Sequence, residues 1–196
     1  MEGRDLIFAR LSGVDLSGAD LRWGVLRYGK LDGAILRGCR LRGASLQEAD
    51  LRCADLRCAD LSLDSVAGPT RCDGANLSWA DLRDANIGGA QFRRAFLVGA
   101  DLRGASAGST VPDYPTRFDG ADLEGAQLDG ADLGGCVYDS KTRFPEGFDP
   151  GGAGMVRAED LATKDGRKSE GQSVARPAPA WERVRAALAG KSPSAA

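Results

Sequence analysis

The chain has 196 residues, 42% hydrophobic but only 6% aromatic, with 27 glycines, 26 basic and 28 acidic residues. That length suits one domain with a continuous core of small and aliphatic side chains, turned often by glycine. The net charge of −2 favours no class of partner, and no apolar run approaches the roughly 20 residues that cross a bilayer.

The N-terminal stretch MEGRDLIFARL has neither the apolar core nor the cleavage site of an export signal. Five cysteines form no paired framework, so a reduced, cytoplasmic protein is expected. From Leu6 the chain repeats every five residues. Leucine stands at 6, 11, 16, 21, 26, 31, 36, 41, 46, 51, 56 and 61, and Val66 continues the series. Two residues before each centre the side chain is small, as in Ala9, Gly24, Cys39 and Ala54. After Val66 the phase slips by one and resumes at Cys72, Leu77, Leu82, Ile87, Phe92, Leu97, Leu102 and Ala107. A second slip precedes Phe118, Leu123, Leu128, Leu133 and Tyr138, and a third precedes Phe144. The restarts PTRCDG, PTRFDG and KTRFPEG place Thr70, Thr116 and Thr142 at the small position.

A period of five fits neither a helix at 3.6 nor a strand at 2. It can bury two residues per unit if the chain turns after every unit. Four such edges close a square coil of about twenty residues, and stacked coils pair through the backbone with a rise of about 4.8 Å. The centres fill the square, and the cramped position beside them selects Ala, Cys, Gly or Thr.

Residues 4 to 145 strongly resemble the pentapeptide-repeat family, whose consensus is A-D/N-L-x-x. The resemblance implies an all-β fold, a right-handed quadrilateral β-helix of about seven coils. It also implies bulges or loops at the slips near 67–71 and 108–117, and a terminal segment at Lys141 to Pro150. The repeat domain is expected over 1–149, a linker or disordered segment over 150–178, and a short C-terminal helix or frayed tail over 179–190. In that last segment Trp181, Val184 and Leu188 form one apolar stripe.

Chemistry is sparse. The chain has no histidine, which removes the commonest general base and every Ser-His-Asp or Cys-His arrangement. No phosphate-binding glycine loop is present. No enzyme activity, cofactor or metal is expected. Cys53 and Cys58 read as surface thiols, Cys39 and Cys136 as small inward residues, and Cys72 as a centre. Stacking by twenty, with a slip of one, gives the columns Asp32, Arg52, Asp73, Arg93 and Asp20, Arg40, Asp60, Asp81, Asp101. It also gives a basic stripe of Arg22, Arg42, Arg83 and Arg103. Neither uncompensated positive charge nor a reader motif points to nucleic acid.

Two functions remain. One is a rigid scaffold for an unknown protein partner, with Trp23, Tyr28 and Trp79 at outward turns as contact residues. The other follows from the resemblance: a DNA mimic that binds DNA gyrase or topoisomerase IV and confers antibiotic resistance. Residues 1–150 carry 23 acidic and 18 basic residues, net −5, against +3 for 151–196. Asp119, Asp122, Glu124, Asp129 and Asp132 are the acidic candidates. Exposed Leu6, Leu11 and Leu16 in an end coil predict either a cap or a homodimer through an end coil, with Phe144 and Phe148 available for the latter. Leu51→Asp is expected to unfold the protein, because it puts an unpaired carboxylate among stacked apolar residues. An unchanged melting temperature would show that Leu51 does not face inward.

Overall fold

The computed structural model describes residues 5–108, 111 and 113–165. Single-residue parallel bridges join each coil to the next in four ladders. One runs Asp5, Val25, Ser45, Arg71, Gln91, Arg117, Val137. The next runs Arg10, Lys30, Asp50, Asn76, Phe96, Asp122, Arg143. The others begin at Asp15 and Asp20. Each coil therefore has four short edges, and each edge pairs with the edge one coil on. At about 4.8 Å per rung, seven coils make a rod of roughly 34 Å.

The leucine centres form the core. Leu26 to Leu61 at every fifth position, with Leu77, Leu82 and Leu97, are fully buried. The small position is as tight as the sequence requires: a Cβ on Gly29 would lie 3.0 Å from the Leu31 side chain. Leu6, Leu11 and Leu16, in the first coil, are only partly buried.

The first slip differs from the expected one-residue shift. The ladder step grows from 20 to 26 between Ser45 and Arg71, so six residues leave the coil. They form a closed loop in which Asp64 and Gly68 pair antiparallel and the Asp64 carboxylate accepts the amides of Val66 and Ala67, each at 2.9 Å. Val66 is thus at a loop tip, 59% exposed, rather than a centre. Cys72 takes that place inside. The second slip also adds six residues, between Gln91 and Arg117; the third adds one, between Asp122 and Arg143.

Each insertion is stapled by its threonine. A corner amide ordinarily donates to a carbonyl of the next coil, as Cys53 does to Ser78 at 3.0 Å. Beside an insertion that carbonyl is out of register. Thr70 Oγ1 accepts the Gly43 amide at 2.9 Å instead and donates to the Leu41 carbonyl at 2.9 Å. Thr116 accepts from Gly89 at 2.8 Å and donates to Ala107 at 2.6 Å. Thr142 accepts from Gly120 at 3.2 Å and donates to Phe118 at 2.9 Å.

The linker expected over 150–178 is corrected at its start. Val137–Tyr138 (β1) pairs in parallel with Val156–Arg157 (β2), which adds a rung to the first ladder. Helix α1, Ala158–Asp165, follows directly, with Glu159 and Asp160 in its first turn. Met155 is buried at this end, and Phe144 packs edge-to-face on Tyr138 and stacks on Phe148. Those aromatic rings cover the C-terminal end from within the chain. The helix or tail expected over 179–190 lies outside the described residues. No helix among the described residues is long and apolar enough to cross a membrane.

The staples give a direct test. Thr70→Val removes the hydroxyl but keeps the shape, which leaves the Gly43 amide without its partner and should cost about 1–3 kcal/mol. Thr70→Ser should keep most of that stability. Urea denaturation of both variants checks this, and equal midpoints for Val and Ser would rule out the staple.

Candidate functional site

Most corners among the described residues turn through a left-handed residue. Glycine is the usual occupant, but Phe8, Trp23, Tyr28, Glu48, Cys53, Cys58, Trp79, Asp84 and Arg94 adopt φ of 56–62° there. An L-residue in that conformation costs about 1–2 kcal/mol. A bulky aromatic at such a corner therefore has a reason other than turning the chain.

For Trp23 the reason is packing. Its ring lies over Gly43 beside Ala67 and Asp64 of the first loop, and its indole nitrogen is buried without a hydrogen-bond partner of good geometry. Burial opposes ionisation of Asp64, but the Ala67 and Val66 amides and the nearby indole outweigh it and lower its pKa. Tyr28 stacks on Phe8, ring centroids 5.2 Å apart, under the Arg27 guanidinium. Trp79 covers Gly99 of the next coil yet remains 67% exposed.

Trp79 has company that the sequence reading missed. The edge starting at Asn76 pairs with the edge starting at Phe96, through Leu77 to Phe96 at 2.7 Å and Trp79 to Val98 at 2.9 Å. Phe96 is 50% exposed, so Trp79, Phe96 and Val98 share one face of adjacent coils. Charged pairs border them. On one side Arg52 is bidentate to Asp50, both contacts 2.7 Å; on the other Arg143 bonds Asp122 at 2.8 Å and also Glu124. An exposed aromatic centre within a polar rim is the arrangement of an interface hot spot. Phe96 had a readable signal: it occupies the outward position before a centre, where the repeat consensus has Asp or Asn.

Trp23, Tyr28 and Trp79 lie at three different corners and form no single patch. The five acidic candidates are likewise spread over all four edges of one coil. Asp119 pairs with Arg117 at 2.6 Å, Asp122 and Glu124 with Arg143. Asp132 accepts the Gly134 amide at 3.2 Å. Asp129 and Asp132 make no ion pair among the described residues.

The charge columns are also corrected. Because an insertion removes six residues rather than one, every later residue moves on by one edge. Asp20, Arg40 and Asp60 lead to Asn86 and Ser106, while Asp81 and Asp101 follow Asp15, Ile35 and Asp55. Asp32 and Arg52 lead to Ser78, not to Asp73. The basic stripe is Arg37, Arg57, Arg83 and Arg103, since the carbonyl of each accepts a corner amide from the coil before.

The two columns interlock into one ladder. Arg57, Arg83 and Arg103 bond Asp55, Asp81 and Asp101, two residues earlier, at 2.9, 2.7 and 2.6 Å. Arg37, Arg57 and Arg83 also reach Asp55, Asp81 and Asp101 across the coil gap at 2.5, 3.4 and 3.5 Å. The hydrogen bonds from their arginines hold the Asp81 and Asp101 carboxylates below the usual range. A matching pair to Arg22 lowers Asp20 to about 2. Most of the rod is neutral in consequence: residues 1–116 carry 15 acidic and 15 basic residues. The whole excess lies in 117–149, with eight acidic and three basic residues, net −5.

No group of three potential metal ligands occurs among the described residues. Cys39, Cys72 and Cys136 are buried and form no disulfide, and burial pushes all three thiols up, Cys136 to about 12. Cys53 and Cys58 are exposed.

The profile of the family described as pentapeptide repeats matches eight copies, at residues 30–62, 70–106 and 116–137. HetL, a pentapeptide-repeat protein involved in heterocyst differentiation regulation from the cyanobacterium Nostoc sp. strain PCC 7120, is 31% identical. The match covers 80% of this chain and 69% of HetL, with a TM-score of 0.41. A second Nostoc PCC 7120 pentapeptide-repeat protein is 31% identical over 79% of this chain and 84% of its own, TM-score 0.30. QnrB1, a plasmid-mediated fluoroquinolone resistance protein, is 16% identical over 87% of this chain and 98% of its own, TM-score 0.47. The repeated sequence, rather than the superpositions, carries the relationship. No curated protein sequence matches the chain.

The ion-pair ladder predicts an acid transition. The folded-state values of Asp81 and Asp101 lie below the unfolded ones, so the stabilisation they carry is fully present above about pH 4 and is lost as pH falls through the lowered values. Melting temperature is expected to hold from about pH 8 to pH 5 and drop below about pH 4, with a smaller drop in Asp81→Asn. A melting temperature independent of pH across that range would remove the ladder as a source of stability.

Proposed function

We propose that this chain, which belongs to the pentapeptide-repeat family, is a non-enzymatic rod that binds a protein partner through the face carrying Trp79 and Phe96. Its coils wind as the right-handed quadrilateral β-helix of that family. The observation that carries the reading is Trp79, held in a left-handed corner and 67% exposed beside Phe96 at 50%. Glycine would turn that corner at lower cost. Large aromatics at the centre of a polar rim supply most of the binding energy in protein interfaces. The five free thiols support a reducing, cytoplasmic setting as part of the same proposal.

One observation favours a second reading. The net −5 of residues 117–149 is concentrated in two coils, roughly 10 Å of rod. A DNA duplex of that length carries about six charges. A DNA mimic that engages gyrase or topoisomerase IV would use this end, because the remaining coils are neutral.

The two readings separate experimentally. Affinity capture with the intact protein is expected to retain a partner that Trp79→Ala with Phe96→Ala loses by about tenfold or more. Equal retention would remove this face. In supercoiling and cleavage assays with purified gyrase and topoisomerase IV, with and without a quinolone, no protection is expected. Protection abolished by Asn or Gln at Asp119, Asp122, Glu124, Asp129 and Asp132 would put the mimic in place of the scaffold.

A further inference from the structure

At the C-terminal end of the rod, a cleft of about 580 Å³ lies between the last coil and the first turn of α1. Tyr138 and Phe144 form its aromatic wall, meeting edge-to-face with centroids 5.3 Å apart. Asp139, Glu159 and Asp160 line it with carboxylates, against the single cation Arg157. Arg157 Nε donates to the Tyr138 hydroxyl at 3.2 Å, and Glu159 accepts the Ser140 amide at 3.3 Å. Aromatic and acidic walls together suit a segment that offers apolar surface and cationic side chains.

The chain contains such a segment. Residues 166–196, which leave from the end of α1, carry six basic and two acidic residues, net +4, next to coils of net −5. Within them, residues 179–188 combine Trp181, Val184 and Leu188 with Arg183 and Arg185. Fifteen residues separate α1 from Trp181. They reach up to about 50 Å, whereas α1 is only about 12 Å long, so the segment has ample length to return to the cleft. Tethering raises its effective concentration to the millimolar range, which lets a modest contact persist.

We propose that residues 179–188 dock in this cleft of the same chain, where they screen the negative charge of the C-terminal end. The alternative occupant, a second copy, would bring the same segment from another chain.

A photo-cross-linking residue in place of exposed Ser140, in the full chain, tests this. Cross-links within one chain to residues 179–188 are expected, unchanged on tenfold dilution and reduced about tenfold in 0.5 M salt. Arg183→Glu with Arg185→Glu should reduce them similarly, and Glu159→Lys added to that variant should restore part of the yield. Circular dichroism of each variant separates loss of docking from loss of fold. Cross-links only between chains, falling on dilution, would overturn the proposal in favour of a dimer. No cross-link to the tail, or a yield indifferent to Arg183 and Arg185, would also overturn it.

Discussion

Leu51 donates its amide to the Asn76 carbonyl at 2.7 Å, and Asn76 donates its own to Ala49 at 2.9 Å. Bonds of this kind join every coil to the next, and they leave the chain little choice elsewhere. A coil can be long or short only if the surplus leaves the ladder altogether. That is why the insertions are whole loops, and why Thr70, Thr116 and Thr142 stand beside them. Thr70 and Thr116 supply from a side chain the acceptor that the displaced backbone no longer offers, and Thr142 shares that task with Asp139.

Stacking at one rung per coil also sets like positions against like. Inside, this costs nothing, because leucine on leucine is simply core. Outside, it would bring aspartate onto aspartate along a column such as Asp55, Asp81 and Asp101. Arginine two residues later on the same edge resolves the repulsion twice, once within its own coil and once across the gap. The ladder from Arg37 to Arg103 is therefore as much a condition of the fold as a surface feature. Its pattern stops at Gln127, the next rung after Asp101. From there the acidic residues outnumber their partners, and the rod becomes electrically asymmetric along its length.

Corners impose a different constraint. A left-handed turn accepts glycine at no steric cost, so each other residue there trades strain for something else. Trp23 gains burial under the first loop, and Phe8 and Tyr28 gain each other. Trp79 gains only partial cover over Gly99, and Phe96 adds exposed apolar surface beside it. That imbalance is what the proposed partner face at Trp79 rests on.

The sequence alone determined the five-residue period, the inward leucines, the small corner residues and the three threonines, because a repeating steric requirement writes itself directly into residue type. It also placed the buried Cys39, Cys72 and Cys136 and the outward Trp79. Only the tertiary structure decided which residues face one another across coils. Whether the loop at Asp64 removes one residue or six leaves the repeat phase nearly unchanged, yet it shifts every later column by one edge. The ion-pair ladder, the pairing of Trp79 with Phe96 and the scattering of the acidic residues from Asp119 to Asp132 all follow from that shift. Capping by Met155 and Val156 was equally hidden, since two apolar residues amid glycine carry no period. Their role comes from the open ladder they complete.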